Sequence, residues 1–141
     1  MTKTLYTTSV TSTGNGRNGR VKSVDSLLDL ALSFPKEFGG KGDNTNPEQL
    51  FAAGYAACFH SALKLVADRE KISLGETTVN AQVNVHPTDD NGFLLSVALH
   101  IAVHGIMQAD AELLVNKTHL VCPYSKAVQG NINVISTVSI T

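Results

Sequence analysis

One stretch, NPEQLFAAGYAACFHSALKLV at residues 46–66, constrains the fold of this chain more than any other. Asn46 is a good helix cap, and Pro47 suits the first helical position because the N–H that proline lacks would be unpaired there. Glu48 and Gln49 complete the start signal. Over residues 50–66 the side chains are apolar or small, with three exceptions: His60, Ser61 and Lys64. A helix that is apolar on nearly all sides is buried. The stretch therefore predicts a central helix that starts at Pro47, is buried over residues 50–66, and has other elements packed around it.

Alternating polar and apolar residues predict strands on both sides of this helix. Before it, the alternation covers residues 4–11, 20–23 and 28–32, which predict an N-terminal antiparallel sheet. After it, strand patterns cover residues 78–85, 93–103 and 133–140, and helical periodicity covers residues 109–120. The turn signal HPTDDNG joins the first two later strands as an antiparallel pair. Because strands and helices do not alternate, the pattern favours an α+β fold with a second antiparallel sheet.

Length and charge narrow the classes of function. A chain of 141 residues falls within the range of one domain, so we predict a single domain over residues 1–141. Eleven Lys and Arg against twelve Asp and Glu give a net charge of −1, which removes the electrostatic reason to expect nucleic acid or an anionic membrane as partner. The N-terminus lacks the continuous apolar segment of a signal peptide, and we see no membrane span of roughly 20 apolar residues. We therefore expect a cytoplasmic protein.

Two cysteines are the first candidates for chemistry: Cys58 in the predicted central helix and Cys122 after the second helix. In a reducing cytosol such residues are inert core packing, metal ligands or redox groups. Only the thiolate is a good nucleophile, and a free thiol with a pKa of about 8.5 is ionised to a few per cent at neutral pH. Cys58 lies about three turns into its helix and Cys122 at the end of the next one, so neither can rely on a helix dipole.

An arginine is the remaining means of stabilising a thiolate. The segment GNGRNGR carries Arg17 and Arg20 on a glycine-rich turn, and Glu48 at the helix start could orient either guanidinium. Glu48 and Cys58 are ten positions apart, which is about 15 Å along an unbroken helix. Either the helix bends near Gly54, or the arginine and Glu48 reach the thiol of a second subunit. We favour the second hypothesis.

The histidines offer weaker alternatives. Cys58 and His60 point about 200° apart on one helix and could not share a zinc ion, whereas His119 and Cys122 form a feasible pair that does not close a structural site. We therefore predict no metal and no cofactor. A hydrolase with His60 or His119 as the base stays open, although no orienting third residue is evident. The other three are most simply solvent-facing: His86, His100 and His104.

Four segments together point to a family. TNPEQLFAAGYAACF at residues 45–59 and VCPYSKAVQGNINV at residues 121–134 resemble, nearly residue for residue, the organic hydroperoxide resistance (Ohr) branch of the OsmC-like proteins. GRNG at residues 16–19 and LSFPKEFGGKG at residues 32–42 are similar to the N-terminal half of those proteins. The resemblance covers most of the chain, while residues 70–111 contribute little to it.

The resemblance implies roles for four residues. Cys58 would be the peroxidatic cysteine and Cys122 the resolving one, with Arg17 and Glu48 as the activating pair, whereas Arg20 falls outside the family's Gly-Arg-x-Gly pattern. It further implies an OsmC-like fold in an intertwined homodimer, an organic hydroperoxide as substrate, and lipoylated proteins as the dithiol reductant. Two features depart from the family's usual pattern, namely His60 and the turn HPTDDNG.

On this interpretation Cys58 becomes a sulfenic acid while the peroxide becomes an alcohol, and Cys122 then closes a disulfide that a dithiol reopens. Preference for organic peroxides would come from apolar side chains along the approach. Our candidates for substrate binding are Phe34, Phe38 and Phe51. Ordinary core packing is an equally good account of each. The alternative function is a non-catalytic OsmC-like module that binds a small ligand.

Overall fold

The computed structural model describes residues 2–141, which divide into two compact units between Leu50 and Phe51. The first unit holds three short strands and the start of a long helix. The second holds the rest of that helix, three longer strands and two further helices. The prediction of a single domain over residues 1–141 stays a prediction.

The sheet of the first unit is antiparallel, as predicted, with strand order β1-β2-β3. Its strands are β1 (Val10–Thr13), β2 (Arg20–Ser23) and β3 (Asp29–Ala31). The strand predicted at residues 4–11 was wrong in its bounds, because the residues that pair with β2 on this side are 10–13. Residues 4–9 alternate in polarity but lack a ladder partner in this sheet. A 3-10 turn at Gly16–Asn18 connects β1 to β2 and carries Arg17.

Helix α1 (Pro47–Arg69) begins at the predicted proline and continues three residues past the predicted end. Asn46 caps it, since its side-chain oxygen accepts a hydrogen bond from the N–H of Gln49 at 2.9 Å. The helix is a single element through Gly54. The helix is thus not interrupted at Gly54, and the choice between a bend there and action on a second subunit stays open.

The sheet of the second unit is mixed, with strand order β4-β5-β6. Its strands are β4 (Thr77–Pro87), β5 (Phe93–Val103) and β6 (Val134–Ile140). β4 and β5 form the predicted antiparallel hairpin, but β6 runs parallel to β5, so the prediction of a second antiparallel sheet was wrong. The chain between β5 and β6 forms helices, and such a crossover returns the chain to the end from which β5 started.

Two helices form that crossover: α2 (Gln108–His119) and α3 (Pro123–Val128). α2 confirms the helix predicted at residues 109–120 to within one residue at each end. α3 was not predicted, because we interpreted Pro123 only as the residue that stops the preceding helix. Pro123 instead occupies the first position of α3, and Cys122 is its N-cap. Cys122 therefore lies at the start of a helix and not at the end of one.

The core of the second unit lies between α1, β5 and α2. One side of α1 contributes six buried residues: Tyr55, Phe59, Ala62, Leu63, Val66 and Ala67. Alternate residues of β5 face them: Val97, Leu99, Ile101 and Val103. Leu114 and Val115 of α2, together with Cys122, complete the cluster.

Among the described residues, α1 alone is long and apolar enough to cross a membrane by length and composition. The core helix of a globular protein passes the same test. The buried residues of α1 belong to the core of the second unit, which accounts for part of its apolar composition. The expected cytoplasmic location stays a prediction.

Two adjacent leucines of α2 provide a test of this core. Leu114 is 2% exposed and Leu113 is 55% exposed. We expect Leu114→Ala to lower the free energy of unfolding by about 2–5 kcal/mol, because it leaves a cavity among α1, β5 and α2. Leu113→Ala should change it by less than about 0.5 kcal/mol. Urea unfolding at one fixed protein concentration measures both, and equal effects would contradict this packing.

Candidate active site

The two cysteines are free thiols that adjoin each other in the second unit. Cys58, on α1, is partly buried, and Cys122 is 0% exposed. Burial raises the pKa of the Cys58 thiol, and both the charge of Cys122 and a hydrogen bond between the thiols raise it further. The backbone N–H of Tyr124 donates to the Cys58 sulfur and lowers that pKa. The two thiols are thus neighbours, and burial disfavours the thiolate form of Cys58.

Local hydrogen bonds fix the junction that carries Cys122. The N–H of Cys122 donates to the carbonyl of Thr118 at 2.9 Å, and the Thr118 hydroxyl donates to the carbonyl of Leu114 at 2.7 Å. These bonds hold residues 120–122 close to the last turn of α2. Pro123 then starts α3, so the Cys122 thiol is directed into the core cluster.

Tyr124 lies across α1 at Gly54. A Cβ atom at Gly54 would come within 2.4 Å of the Tyr124 hydroxyl, so only glycine allows this approach without displacement. The Tyr124 ring also packs against Phe51 and Tyr55, with ring centroids 6.3 Å and 5.8 Å away. Gly54 thus serves close packing. The sequence drew attention to Gly54 only as a possible bend, and Tyr124 was missed.

A chain of hydrogen bonds adjoins the thiols. The Tyr55 and Ser125 hydroxyls are 2.8 Å apart, and the Ser125 hydroxyl is 2.8 Å from Nδ1 of His119. Nε2 of His119 is 2.6 Å from the Ser136 hydroxyl on β6. Burial lowers the pKa of His119. Tyr55, Ser125 and His119 also line a cleft of 410 Å³. Sequence reasoning considered His119 only as a metal ligand or a hydrolytic base.

The first unit holds the predicted pair of Arg17 and Glu48 in contact. The guanidinium donates to both carboxylate oxygens, at 2.8 Å and 2.5 Å. The hydrogen bond from Arg17 lowers the pKa of Glu48, and burial opposes that effect. Arg20 forms a separate, exposed pair with Asp29 at 2.6 Å. The structure thus distinguishes Arg17 from Arg20, which sequence spacing alone could not do.

Two of the three predicted phenylalanines flank this pair. The centroids of the Phe34 and Phe38 rings lie 5.9 Å and 5.8 Å from the Arg17 guanidinium carbon, within the range of a cation–π contact. The third, Phe51, belongs to the second unit and packs edge-on against Tyr55 at 6.2 Å. Each phenylalanine therefore lies beside a residue of the candidate site.

The remaining histidines do not assemble a metal site. His60 binds the Thr77 hydroxyl at 2.6 Å, and burial, followed by the charge of Lys64, lowers its pKa. The other three are exposed, as predicted: His86, His100 and His104. Within residues 2–141, no three His, Cys, Asp or Glu side chains come together as a metal site would need.

Comparison with known proteins places the chain in a family. A family model described as OsmC-like protein matches residues 40–137, and the chain belongs to this family. It is 51% identical over 139 residues to an organic hydroperoxide resistance protein of Xanthomonas axonopodis pv. citri, covering 97% of this chain and 96% of that one. Within the family it belongs to the organic hydroperoxide resistance branch, as the sequence motifs indicated.

Solved structures agree with this assignment. The fold matches an organic hydroperoxide resistance protein from Legionella pneumophila with a TM-score of 0.94 and 52% identity, over 97% of this chain and 99% of that one. It matches one from Elizabethkingia anophelis with a TM-score of 0.95 and 50% identity, over 99% of this chain and 100% of that one. The predicted α+β, OsmC-like fold class is thereby confirmed.

The bidentate pair of Arg17 and Glu48 predicts a measurable coupling energy. In a double-mutant cycle with Arg17→Ala and Glu48→Gln, we expect the two side chains to contribute a coupling energy of about 1 kcal/mol or more to the free energy of unfolding at pH 7. The reason is that the pair is half-buried and bidentate. Since the pKa of Glu48 is lowered in the folded protein, this stabilisation exists above the usual Glu pKa. It should be lost as the pH falls below about 4.

The exposed pair of Arg20 and Asp29 is the matched control. Its cycle, with Arg20→Ala and Asp29→Asn, should give less than about 0.5 kcal/mol. Urea unfolding at pH 7 and pH 3 measures both cycles. A coupling for Arg17 and Glu48 no larger than the control would show that their contact contributes nothing in solution.

Proposed function

We propose that this protein acts in organic hydroperoxide resistance as a thiol-dependent peroxidase that reduces organic hydroperoxides to alcohols. The observation that carries the proposal is the adjacent pair of free thiols, one partly accessible and one buried. The relatives named for organic hydroperoxide resistance support the substrate class.

The proposed reaction begins at Cys58. Its thiolate attacks the distal oxygen of the hydroperoxide, the O–O bond breaks, and the departing alkoxide takes a proton and leaves as an alcohol. Cys58 is then a sulfenic acid. The Cys122 thiol condenses with it, so that an S–S bond forms and water leaves. A dithiol reopens the disulfide through a mixed disulfide, returning two thiols to the protein while becoming a disulfide itself.

The first step requires a cation near Cys58, because burial raises the pKa of this thiol. We propose that the pair of Arg17 and Glu48 supplies it. The bidentate contact fixes the direction of the guanidinium, and the rings of Phe34 and Phe38 flank it. Arg20 is held by Asp29 and has no part in the proposal.

We further propose that Arg17 and Glu48 act on Cys58 of a partner subunit in a homodimer. An 18-residue window of α1 has a mean hydropathy of 1.4, yet only 33% of it is buried within one chain. Exposed small or apolar residues recur every four positions along one face of α1: Ala53, Ala57, Ser61 and Leu65. A second copy of the chain would bury this face. An uninterrupted α1, which separates Glu48 from Cys58 by ten residues, also favours action across an interface.

Substrate and reductant complete the proposal. The rings of Phe34, Phe38 and Phe51 would line the approach of the alkyl or aryl group of the peroxide, which favours organic hydroperoxides over hydrogen peroxide. A dithiol on a lipoylated protein would restore the thiols, as in the family that the motifs resemble. No cofactor or metal is part of the proposed cycle.

Thiol counting tests the reaction. Reduced protein treated with one equivalent of cumene hydroperoxide should lose both free thiols and release one equivalent of cumyl alcohol. Cys58→Ser should lose none and release no alcohol, because the sulfur that attacks is absent. Cys122→Ser should release alcohol once and retain a sulfenic acid, detectable by mass spectrometry. Two thiols that survive excess peroxide in the wild type would instead favour the small-ligand binding module.

Arg17→Ala should slow the peroxide step by roughly tenfold or more, because the thiolate population falls when a neighbouring cation is lost. Arg20→Ala is the matched control and should leave the rate unchanged.

Mixing the Arg17→Ala protein with the Cys58→Ser protein tests action across the interface. Mixed dimers would contain one site with both residues only if Arg17 acts on the partner subunit, so activity should return. Failure of dissociated and remixed chains to recover activity would contradict that arrangement.

A further inference from the structure

Four polar side chains near the cysteines have no part in the cycle proposed above. They form an unbroken series of hydrogen bonds, which we call the polar chain: Tyr55, Ser125, His119 and Ser136. Its three donor–acceptor distances are 2.8, 2.8 and 2.6 Å. Tyr55 is 0% exposed and Ser125 is 6% exposed, so this part of the polar chain lies in the interior of the second unit.

One end of the polar chain, Tyr55, belongs to the same core cluster as Cys122, and Cys58 packs against that cluster. Tyr55 is one helical turn before Cys58 on α1, and Ser125 is one turn after Cys122. Burial raises the pKa of Tyr55, and negative charge on either cysteine raises it further, so the phenol is within electrostatic reach of both sulfurs.

Tyr55, Ser125 and His119 all line the 410 Å³ cleft, but Tyr55 and Ser125 are buried and His119 is the partly exposed one of the three. The polar chain therefore connects the core beside Cys58 and Cys122 with a cleft that is large enough for several water molecules.

The buried thiol needs such a connection. In the proposed cycle the S–H bond of Cys122 breaks when the disulfide forms, and its proton joins the hydroxyl that leaves Cys58 to make water. When the dithiol reduces the disulfide, two electrons enter the protein and each released cysteine thiolate must take up a proton. Cys122 is 0% exposed, so bulk water does not reach the sulfur that must lose and regain this proton.

We propose that the polar chain is a proton relay between the buried Cys122 and the cleft, with His119 as the group that exchanges protons with water. The inference rests on the proposed peroxidase function. A neutral imidazole accepts a hydrogen bond at one nitrogen and donates at the other, and each hydroxyl does both, so the chain carries a proton in either direction. Ser136 is a positioning residue, because its hydroxyl holds Nε2 of His119 and so fixes the orientation of the ring.

The surroundings of His119 suit this role. Burial keeps its pKa low, so the ring is neutral near pH 7 and can accept a proton. Its direct contacts are neutral: the Phe59 ring from α1 at 4.8 Å, the Ser125 hydroxyl from α3 and the Ser136 hydroxyl from β6. Along the polar chain the nearest titratable group is the Tyr55 phenol, whose pKa rises with negative charge on Cys122 or Cys58.

Single-turnover kinetics tests the relay. Stopped-flow mixing of reduced protein with one equivalent of cumene hydroperoxide separates the oxidation of Cys58 from formation of the disulfide, and later addition of dihydrolipoamide gives the reduction phase. His119→Asn should leave the first phase unchanged. It should slow disulfide formation and reduction by about 100-fold, the lower end of what a positioned acid–base group contributes. The solvent deuterium isotope effect on these two phases should increase.

His100→Asn is the matched control. His100 of β5 is also a histidine bound to a hydroxyl of β6, that of Thr137 at 2.8 Å, but it is exposed and lies outside the polar chain. It should leave all three phases unchanged. Ser136→Ala should slow the two later phases, and Ser136→Thr should restore them. In His119→Gly, added imidazole should enter the cleft and accelerate the later phases, whereas pyrrole, which has no basic nitrogen, should not.

The outcomes separate the relay from the function on which it rests. A wild-type protein that keeps both thiols in excess peroxide would overturn the proposed function itself. If the wild-type protein forms the disulfide, the proposed function stands. If the His119→Asn protein then shows the same rates and isotope effects as the wild type, the relay alone is overturned. A His119→Gly protein that is folded by circular dichroism but unaffected by imidazole would also overturn it. If His119→Gly does not fold, the Ser136 variants and His119→Asn decide.

Discussion

The burial of helix α1 is the constraint on which the second unit depends. Its buried face packs against β5 and α2, and that packing holds Cys58 in one place beside Cys122. The same burial disfavours a charged sulfur, and each unit of pKa corresponds to about 1.4 kcal/mol. The helix that positions the thiol therefore also makes it less reactive. A site built on this helix needs a compensating charge from outside it, and Arg17 is the arginine that a carboxylate holds in a fixed, half-buried position.

The segment VCPYS shows how few residues can form most of one side of the site. Pro123 starts α3, which makes Cys122 the N-cap and keeps its sulfur in the core. The next residue, Tyr124, directs its N–H at Cys58 and its hydroxyl at Gly54. Ser125 then joins Tyr55 to His119. Each contact depends on the direction in which α3 leaves the junction, so the segment acts as one rigid piece.

Sequence patterns predicted the elements well where periodicity was long. β5 has the predicted bounds, and α2 differs by one residue at each end, because both alternate or repeat over eleven residues or more. α3, with six residues, is too short to show a helical period. Residues 4–9 alternate like a strand, but a strand also needs a partner, and β2 pairs with only four residues of β1. The parallel direction of β6 depends on how the crossover packs, and strand alternation is the same in either direction.

The candidate site was predictable where the sequence carries a long pattern, as with the secondary-structure elements. Long motifs identified Cys58, Cys122, Arg17 and Glu48, and the structure brings each pair into contact. The role of Arg17 towards Cys58 stays a proposal. His119, Ser125 and Ser136 were not grouped beforehand, because each is an ordinary polar residue on its own. They meet only when α2, α3 and β6 pack together, and no local pattern carries that information.

The parallel pairing of β5 with β6 has a consequence for how the chain acquires its thiol pair. A parallel pair joined by a helical crossover has a high contact order, since loop closure over about 30 residues precedes any gain from the ladder. The ribosome also releases Cys58 well before Cys122. Nascent chains therefore carry an unpartnered sulfur on an apolar helix until the crossover docks.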